Sequence, residues 1–239
     1  MKLLSIDTSA APASCALTCD GELLAESYVH VKLTHSETLL PMVESMLHAA
    51  KCTMQEVDAF AVSAGPGSFT GVRIGVAAVK GMAFAGDKPC VAVSTLEAMA
   101  QPLSFTNGLI CAAMDARCNQ VYNALFRSDG RTVERLCPDR ALLLEELNSE
   151  LVALSSGEYK GLPIYFVGDG ARLAYDAMGA FETKLLLPDS YRYQRASGVA
   201  AVAQRMFAAG QTIRAESLMP TYLRLPQAER ELKAKNMKK

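Results

Sequence analysis

The stretch Ser63–Lys88 reads SAGPGSFTGVRIGVAAVKGMAFAGDK, and the organisation of the chain follows from it. The apolar run Ala59–Ser63 predicts a strand that enters the turn Gly65-Pro66-Gly67. Glycines at 65 and 67 suit backbone with φ > 0, and Pro66 fixes φ between them. From about Thr70 to Ala85 the pattern is helical, with Ser68 or Thr70 placed to cap it by accepting from an orphan backbone N–H. The run holds two charges, Arg73 and Lys80. At about 100° per residue they share a face with Val76, Ala77 and Phe84. Gly71, Gly75, Ala78, Met82 and Ala85 take the opposite face, where small residues four apart allow a neighbour's backbone to come close. A helix this apolar is covered on both sides. One side lies on its own sheet, and the other calls for a second partner.

Working outward, Ala59–Ser63, the helix and Cys90–Val93 make a βαβ unit, followed by a short helix over Thr95–Ala100. Upstream, the strand 2–7 (KLLSID) ends on Asp7-Thr8-Ser9, and Ser14–Thr18 and Glu22–Val31 read as strands joined by the turn signal Asp20-Gly21. Thr34-His35-Ser36-Glu37 is a capping box, and Leu39, Leu40, Val43, Met46, Leu47 and Ala50 continue as a helical stripe. Pro41 inside that stripe predicts a kink, or a start nearer Thr38. Downstream of the linker-like Pro102–Gly108 the pattern returns: Ala112–Gly130 (AAMDARCNQVYNALFRSDG) repeats the logic of the opening LSIDTSAAPASCALTCDG. In both, an apolar strand ends on aspartate, a second strand contains Ala-Leu, and Asp-Gly closes the turn. A strand over Arg131–Leu136, a helix over Ala141–Leu154, a strand over Ile164–Val167, Gly168-Asp169-Gly170, a helix over Ala171–Ala177, a strand over Lys184–Leu187 and a helix over Ser197–Ala208 complete the second copy. The prediction is an α/β protein of two duplicated βββαβαβα lobes, 1–103 and 104–226, with a basic and flexible tail at 227–239.

Composition narrows the class. The 239 residues are 50% hydrophobic and 21% charged with net charge −1, which fits a globular protein and argues against a free-standing nucleic-acid platform. No apolar run reaches the roughly 18 residues of a membrane span, and Met1-Lys2 leads into a strand without a signal-peptide pattern. Seven cysteines without a C-x-x-C pair, with Cys15, Cys52, Cys90 and Cys111 in apolar surroundings, predict reduced, buried thiols and a cytoplasmic location.

The polar motifs leave alternatives open. Gly65–Gly71 lacks the lysine of a Walker loop and the third glycine of a dinucleotide loop, so it is either a structural or interface turn or an anion site built from backbone N–H groups. Asp7-Thr8-Ser9 is either a plain turn or a holder of metal-bound phosphate, and its counterpart Asp115-Ala116-Arg117 pairs internally. His30, His35 and His48 have no i, i+4 partner, and no nucleophile elbow is present, so neither metal nor covalent chemistry has visible machinery. Arg230, Lys233, Lys235, Lys238 and Lys239 make the tail basic, as a solvated terminus or an RNA contact.

Six motifs together carry a resemblance: IDTS at Ile6–Ser9, HSETLLPM at His35–Met42, GPGSFTGVRIG at Gly65–Gly75, MDAR at Met114–Arg117, GDGA at Gly168–Ala171 and PTYLR at Pro220–Arg224. The chain resembles the bacterial TsaB (YeaZ) family. The resemblance implies the actin-like fold shared by sugar kinases and Hsp70, and work in threonylcarbamoyladenosine synthesis on tRNA. The catalytic relative TsaD carries H-x-x-x-H on the helix after its fifth strand. The comparable stretch here is Val93-Ser94-Thr95-Leu96-Glu97-Ala98-Met99, with Thr95 and Met99 at the histidine positions. A hydroxyl and a thioether are poor substitutes for imidazole. The implied role is therefore a non-catalytic subunit with no cofactor of its own. It would pair with TsaD, be joined by the ATPase TsaE, and form a homodimer when alone. ATP and a metal ion would be carried by those partners, tRNA would be met through the complex, and no membrane would be involved. The expected interface comprises Met42, Met46, Arg73, Val76, Ala77, Lys80 and Phe84. A vestigial nucleotide or anion site is expected over Asp7, Thr8, Ser9, Gly65, Gly67, Ser68, Gly168 and Gly170. The rival readings are an ATPase or small-molecule kinase of the same fold, using Asp7, Thr8, Ser9 and Gly168–Gly170 around nucleotide, and a metallopeptidase.

Overall fold

Strand residues alternate between two apolar faces along the first sheet: Leu4 and Ile6 look one way, and Leu3 looks the other. Both faces are therefore covered by helices. The computed structural model describes residues 1–31, 33–179, 181 and 183–224. The tail expected to be basic and flexible lies outside them. The first half contains β1 (Lys2–Asp7), β2 (Ala13–Cys19), β3 (Glu22–Val29), α1 (His35–Ala49), β4 (Ala59–Gly65), α2 (Phe69–Ala85), β5 (Cys90–Ser94) and α3 (Thr95–Ala100). The second contains β6 (Asn107–Arg117), β7 (Gln120–Asp129), β8 (Val133–Arg135), β9 (Arg140–Leu143), α4 (Leu144–Ser156), β10 (Ile164–Val167), α5 (Ala171–Ala177), β11 (Lys184–Leu186), α6 (Asp189–Arg192) and α7 (Ala196–Ala208).

The sheets run β3-β2-β1-β4-β5 and β8-β7-β6-β10-β11, so the duplication read from Asp7 and Asp115 holds at the level of topology. In each sheet the first strand pairs antiparallel with the second and parallel with the strand that follows the half's first helix, as in Ile6↔Cys15 with Ile6↔Val62 and Cys111↔Leu125 with Cys111↔Phe166. The sequence places the start of α4 at Ala141, but residues 140–143 form β9. The three-residue β8 leaves the other end of β7 unpaired, and Arg140–Leu143 pairs with Gln120–Asn123 there. Pro41 neither shortens nor delays α1. The helix starts at His35 behind Thr34, whose N–H donates to the Glu37 carboxylate at 3.3 Å, and it passes through Pro41 on its exposed side.

The division of the chain at 103 and 104 does not describe the packing of α7. Val199, Ala200, Val202 and Ala203 of α7 pack with Leu3, Ala59, Ala61 and Val91 of the first sheet, although α7 lies in the second half of the sequence. Conversely, Leu96, Met99 and Ala100 of α3 join Ile110, Ala112 and Met114 of the second sheet. The last helix of each half thus contributes to the other half's core. The two helices meet where Gly198 faces the Ala98 carbonyl, with no room for a Cβ.

Candidate functional site

α2 is positioned by its own glycines. Side chains at Gly71 and Gly75 would run into the Thr8 carbonyl and hydroxyl, so the helix rests directly on the end of β1. Thr8 Oγ1 donates to the Gly71 carbonyl at 2.8 Å. Ser68 is the N-cap, its hydroxyl accepting from Gly71 N at 3.3 Å. The close approach inferred from small residues four apart is therefore present, but the buried face is rotated from the expected one. Val72, Val76, Val79 and Ala83 enter the first lobe's core, while Ala85 is exposed and Ala78 and Met82 are half-buried.

That rotation corrects the expected interface. Val76 is 4% exposed and belongs to the core between α2 and the sheet, so it is not on an outward face. It lies about 60° around the helix from Arg73, enough to turn it inward. Met42 and Met46 of α1 are likewise buried in that core, because their stripe with Leu39, Val43 and Leu47 is the face that covers the sheet. Arg73, Ala77, Gly81 and Phe84 remain outward, with Lys80 half-buried. Phe84 is 67% exposed, a large apolar group without cover. The Lys80 ammonium donates to the Glu216 carbonyl at 3.1 Å.

The ends of β1, β4, β6 and β10 converge on a cleft of about 960 Å³ between the lobes, lined among others by Ser9, Gly67, Ser68, Asp115 and Asp169. Asp7 lies behind this lining, fully buried. Its carboxylate accepts from Ser9 N at 2.9 Å, Ser9 Oγ at 2.7 Å and Ser63 Oγ at 2.5 Å. Burial raises its pKa against the pull of those bonds. Asp115 accepts from Arg117 N at 2.7 Å and ion-pairs with Arg117 at 3.4 Å, as its sequence context implies. Asp169 projects into the solvent of the cleft and accepts from Gln194 Nε2 at 2.9 Å. The protein on either side raises its pKa by desolvation, with smaller contributions from Asp115 and Asp7.

Much of the backbone proposed for anion binding is already bonded to protein. Ser9 N is held by Asp7, Ser68 N by the Ser9 carbonyl at 2.7 Å, Gly168 N by the Arg192 carbonyl at 2.6 Å and Gly170 N by the Ala113 carbonyl at 3.1 Å. The glycines serve contact. Gly67 would meet the Ser9 carbonyl, and Gly170 the backbone of Met114 and Asp115. Gly65 has φ +128°, and a Cβ there would overlap the Thr221 carbonyl. Thr95 and Met99, one turn apart on α3, are 0% and 3% exposed. Met99 packs among Leu96, Ile110, Met114 and Val167, so hydrocarbon fills the space beside it.

Residues outside the expected set also shape the site. Tyr222 stacks on Phe69 with ring centroids 5.1 Å apart and accepts from Arg73 Nε at 2.7 Å, while the Arg73 guanidinium lies 3.7 Å above the Phe69 ring. PTYLR was the available signal, but nothing in local periodicity pairs Tyr222 with a helix 149 positions away.

With this geometry in view, similarity to known proteins falls on one family. The family model for TsaD, tRNA N6-adenosine threonylcarbamoyltransferase, matches residues 29–232. A curated TsaB, the tRNA threonylcarbamoyladenosine biosynthesis protein of Escherichia coli (strain K12), is 34% identical over 98% of this chain and 100% of that one. Its namesake in Bacillus subtilis (strain 168) is 33% identical over 96% of each chain. The structure of YeaZ from Pseudomonas aeruginosa superposes with TM-score 0.79 at 29% identity, over 93% of this chain and 99% of that one. The coverage runs through both lobes. The chain belongs to the TsaB (YeaZ) family of tRNA threonylcarbamoyladenosine biosynthesis proteins, within the broader TsaD-type group.

Proposed function

We propose that the protein is a non-catalytic, activating subunit in the formation of N6-threonylcarbamoyladenosine at position 37 of tRNA. In this reading TsaD, supported by this chain and joined by TsaE, transfers threonylcarbamoyl from threonylcarbamoyl-AMP to the adenosine. ATP and the metal ion reside on the partners, tRNA is met through the complex, and the setting is the cytoplasm. The observation that carries the reading is at α3. Where the resemblance places imidazoles in TsaD, this chain has a fully buried threonine and a methionine packed in an apolar cluster. A closed hydrocarbon environment favours neither a divalent cation nor its water.

The docking face is the outward side of α2, where Arg73, Ala77 and Lys80 lead along one side to the exposed aromatic Phe84, one turn beyond Lys80. TsaD and, in its absence, a second copy of this chain are its occupants. Small residues at Ala77 and Gly81 let a partner helix come close, and Phe84 supplies an apolar anchor of the kind that dominates interface energetics. The test is a modification assay on unmodified tRNA with purified TsaD, TsaE and threonylcarbamoyl-AMP, with and without this chain. Product should require the chain, and Phe84→Glu should abolish both product and co-purification with TsaD. The chain alone forming product, or TsaD working fully without it, would overturn the reading. Calorimetry with ATP and Mg²⁺ on the isolated chain separates it from a kinase or ATPase, for which binding and turnover are required.

A further inference from the structure

We infer that residues 218–224 form a latch that fixes the aperture of the cleft between the lobes. The inference stands apart from the functional reading and rests on inter-lobe contacts alone. After α7 the chain stays on the first lobe, where Ile213 exchanges backbone hydrogen bonds with Cys90 at 2.8 and 2.9 Å. Leu218 is fully buried in the first lobe's core. From there the segment crosses the cleft mouth, which Thr221, Tyr222, Leu223 and Arg224 help to line.

Three anchors hold it to the first lobe and one to the second. Thr221 N donates to the Ala64 carbonyl at 2.7 Å. Tyr222 is held by the stack on Phe69 and by the hydrogen bond from Arg73 on α2. Leu218 supplies the apolar anchor. Across the cleft, the Arg224 guanidinium donates to the Ala116 carbonyl of β6 at 2.8 Å. The seat is specific, since the Thr221 carbonyl occupies the space that a side chain at Gly65 would need.

A second link joins the lobes among residues that do not line the cleft. Arg135 of β8 ion-pairs with Glu97 of α3 at 2.8 Å and with Asp139 at 2.6 Å, and Ser94 Oγ donates to Asp139 at 2.6 Å. Arg205 of α7 binds the other Glu97 oxygen at 2.9 Å. These polar ties add to the exchange of α3 and α7 between the cores, which lies away from the cleft mouth, so the latch is the tie that acts at the mouth itself. A cleft tied at its mouth as well as elsewhere between the lobes keeps one aperture, whereas a cleft tied at a single place hinges about it.

The test is hydrogen exchange and small-angle scattering on the full chain, comparing the parent with Tyr222→Ala and Arg224→Ala. Removing either anchor should speed exchange of the Thr221 amide by about tenfold or more, the scale of a lost charged or aromatic-backed hydrogen bond. It should also enlarge the radius of gyration, with the exchange of β1 and β4 amides unchanged as the fold control. Gly65→Ala should act in the same direction by pushing the Thr221 carbonyl away, and if it does not fold the other two variants carry the test. Thr221 exchange and scattering both equal to the parent in Tyr222→Ala and Arg224→Ala would overturn the latch. So would faster exchange with unchanged scattering, which makes the segment a passive covering.

Discussion

Two substitutions on one helix separate folding from docking. Val76 and Phe84 are both apolar residues of α2, but Val76 is 4% exposed and Phe84 67%. Val76→Glu removes a buried isopropyl group, a loss of roughly 1.5–3 kcal/mol. It also places a carboxyl among Val72, Val79 and the sheet, with no cation in that cluster to pair with it. The carboxyl must be buried charged or take up a proton, so the total is about 3–5 kcal/mol. Against a net stability of about 5–15 kcal/mol for a domain, that is a large fraction. With a urea slope of about 2–3 kcal/mol/M, the midpoint should fall by roughly 1–2.5 M. Phe84→Glu exposes nothing new and should move the midpoint by less than about 0.3 M, the equivalent of a neutral surface change. Urea titrations followed by far-UV circular dichroism read both numbers. TsaD pull-down then distinguishes the variants: Phe84→Glu should be folded but lose the partner, whereas Val76→Glu should fail in both assays. A parent-like midpoint for Val76→Glu, or equal losses for the two variants, would refute the assignment of α2's inner and outer faces.

Other expectations follow from single contacts. Gly71→Ala drives a Cβ into the Thr8 carbonyl and should cost about 1–3 kcal/mol, read as a drop in thermal midpoint. Gly81→Ala, on the same helix with open space around it, should gain about 0.5–1 kcal/mol. Asp7 has a folded-state pKa above its ordinary value of 3.8, so the unfolded chain loses this proton first as pH rises. Its contribution to stability is therefore most favourable below 3.8 and is lost as pH climbs through the window up to the raised folded pKa. Asp7→Asn keeps one oxygen that accepts from Ser9 N and Ser9 Oγ, and replaces the oxygen that accepts from Ser63 with an N–H to which the turned Ser63 hydroxyl is the acceptor. Denaturation series across pH should show a variant at least as stable as the parent at neutral pH, with that slope removed. Burial pushes the thiols of Cys15 and Cys111 up to about 12 and that of Cys90 up to about 11, while Cys118 is exposed. Iodoacetamide at pH 8 followed by peptide mapping should label Cys118 in the folded chain and leave those three unmodified until denaturant is added.

Local patterns carried the elements. The capping box at Thr34, the strand-turn-helix at Gly65–Gly71 and the repeated strand that ends on aspartate are short-range signals, and the duplication they imply recurs in the strand order shared by the two sheets, with β9 added in the second. The missed β9 shows where such signals end. Ala141, Leu142 and Leu143 suit a helix or a strand, and the free edge of β7 decided between them.

What the sequence determined by itself was the family, the duplication and the identity of the helix whose outer side lacks cover. Each is encoded in residues close together or repeated at a fixed offset. Tertiary structure alone decided which way Val76, Met42 and Met46 point, that α3 and α7 each complete the other half's core, and that Arg73 reaches Tyr222. A helical residue 60° from the boundary of an apolar face turns inward or outward according to what lies against it. Contacts between distant segments depend on how two sheets stack, which no local period records.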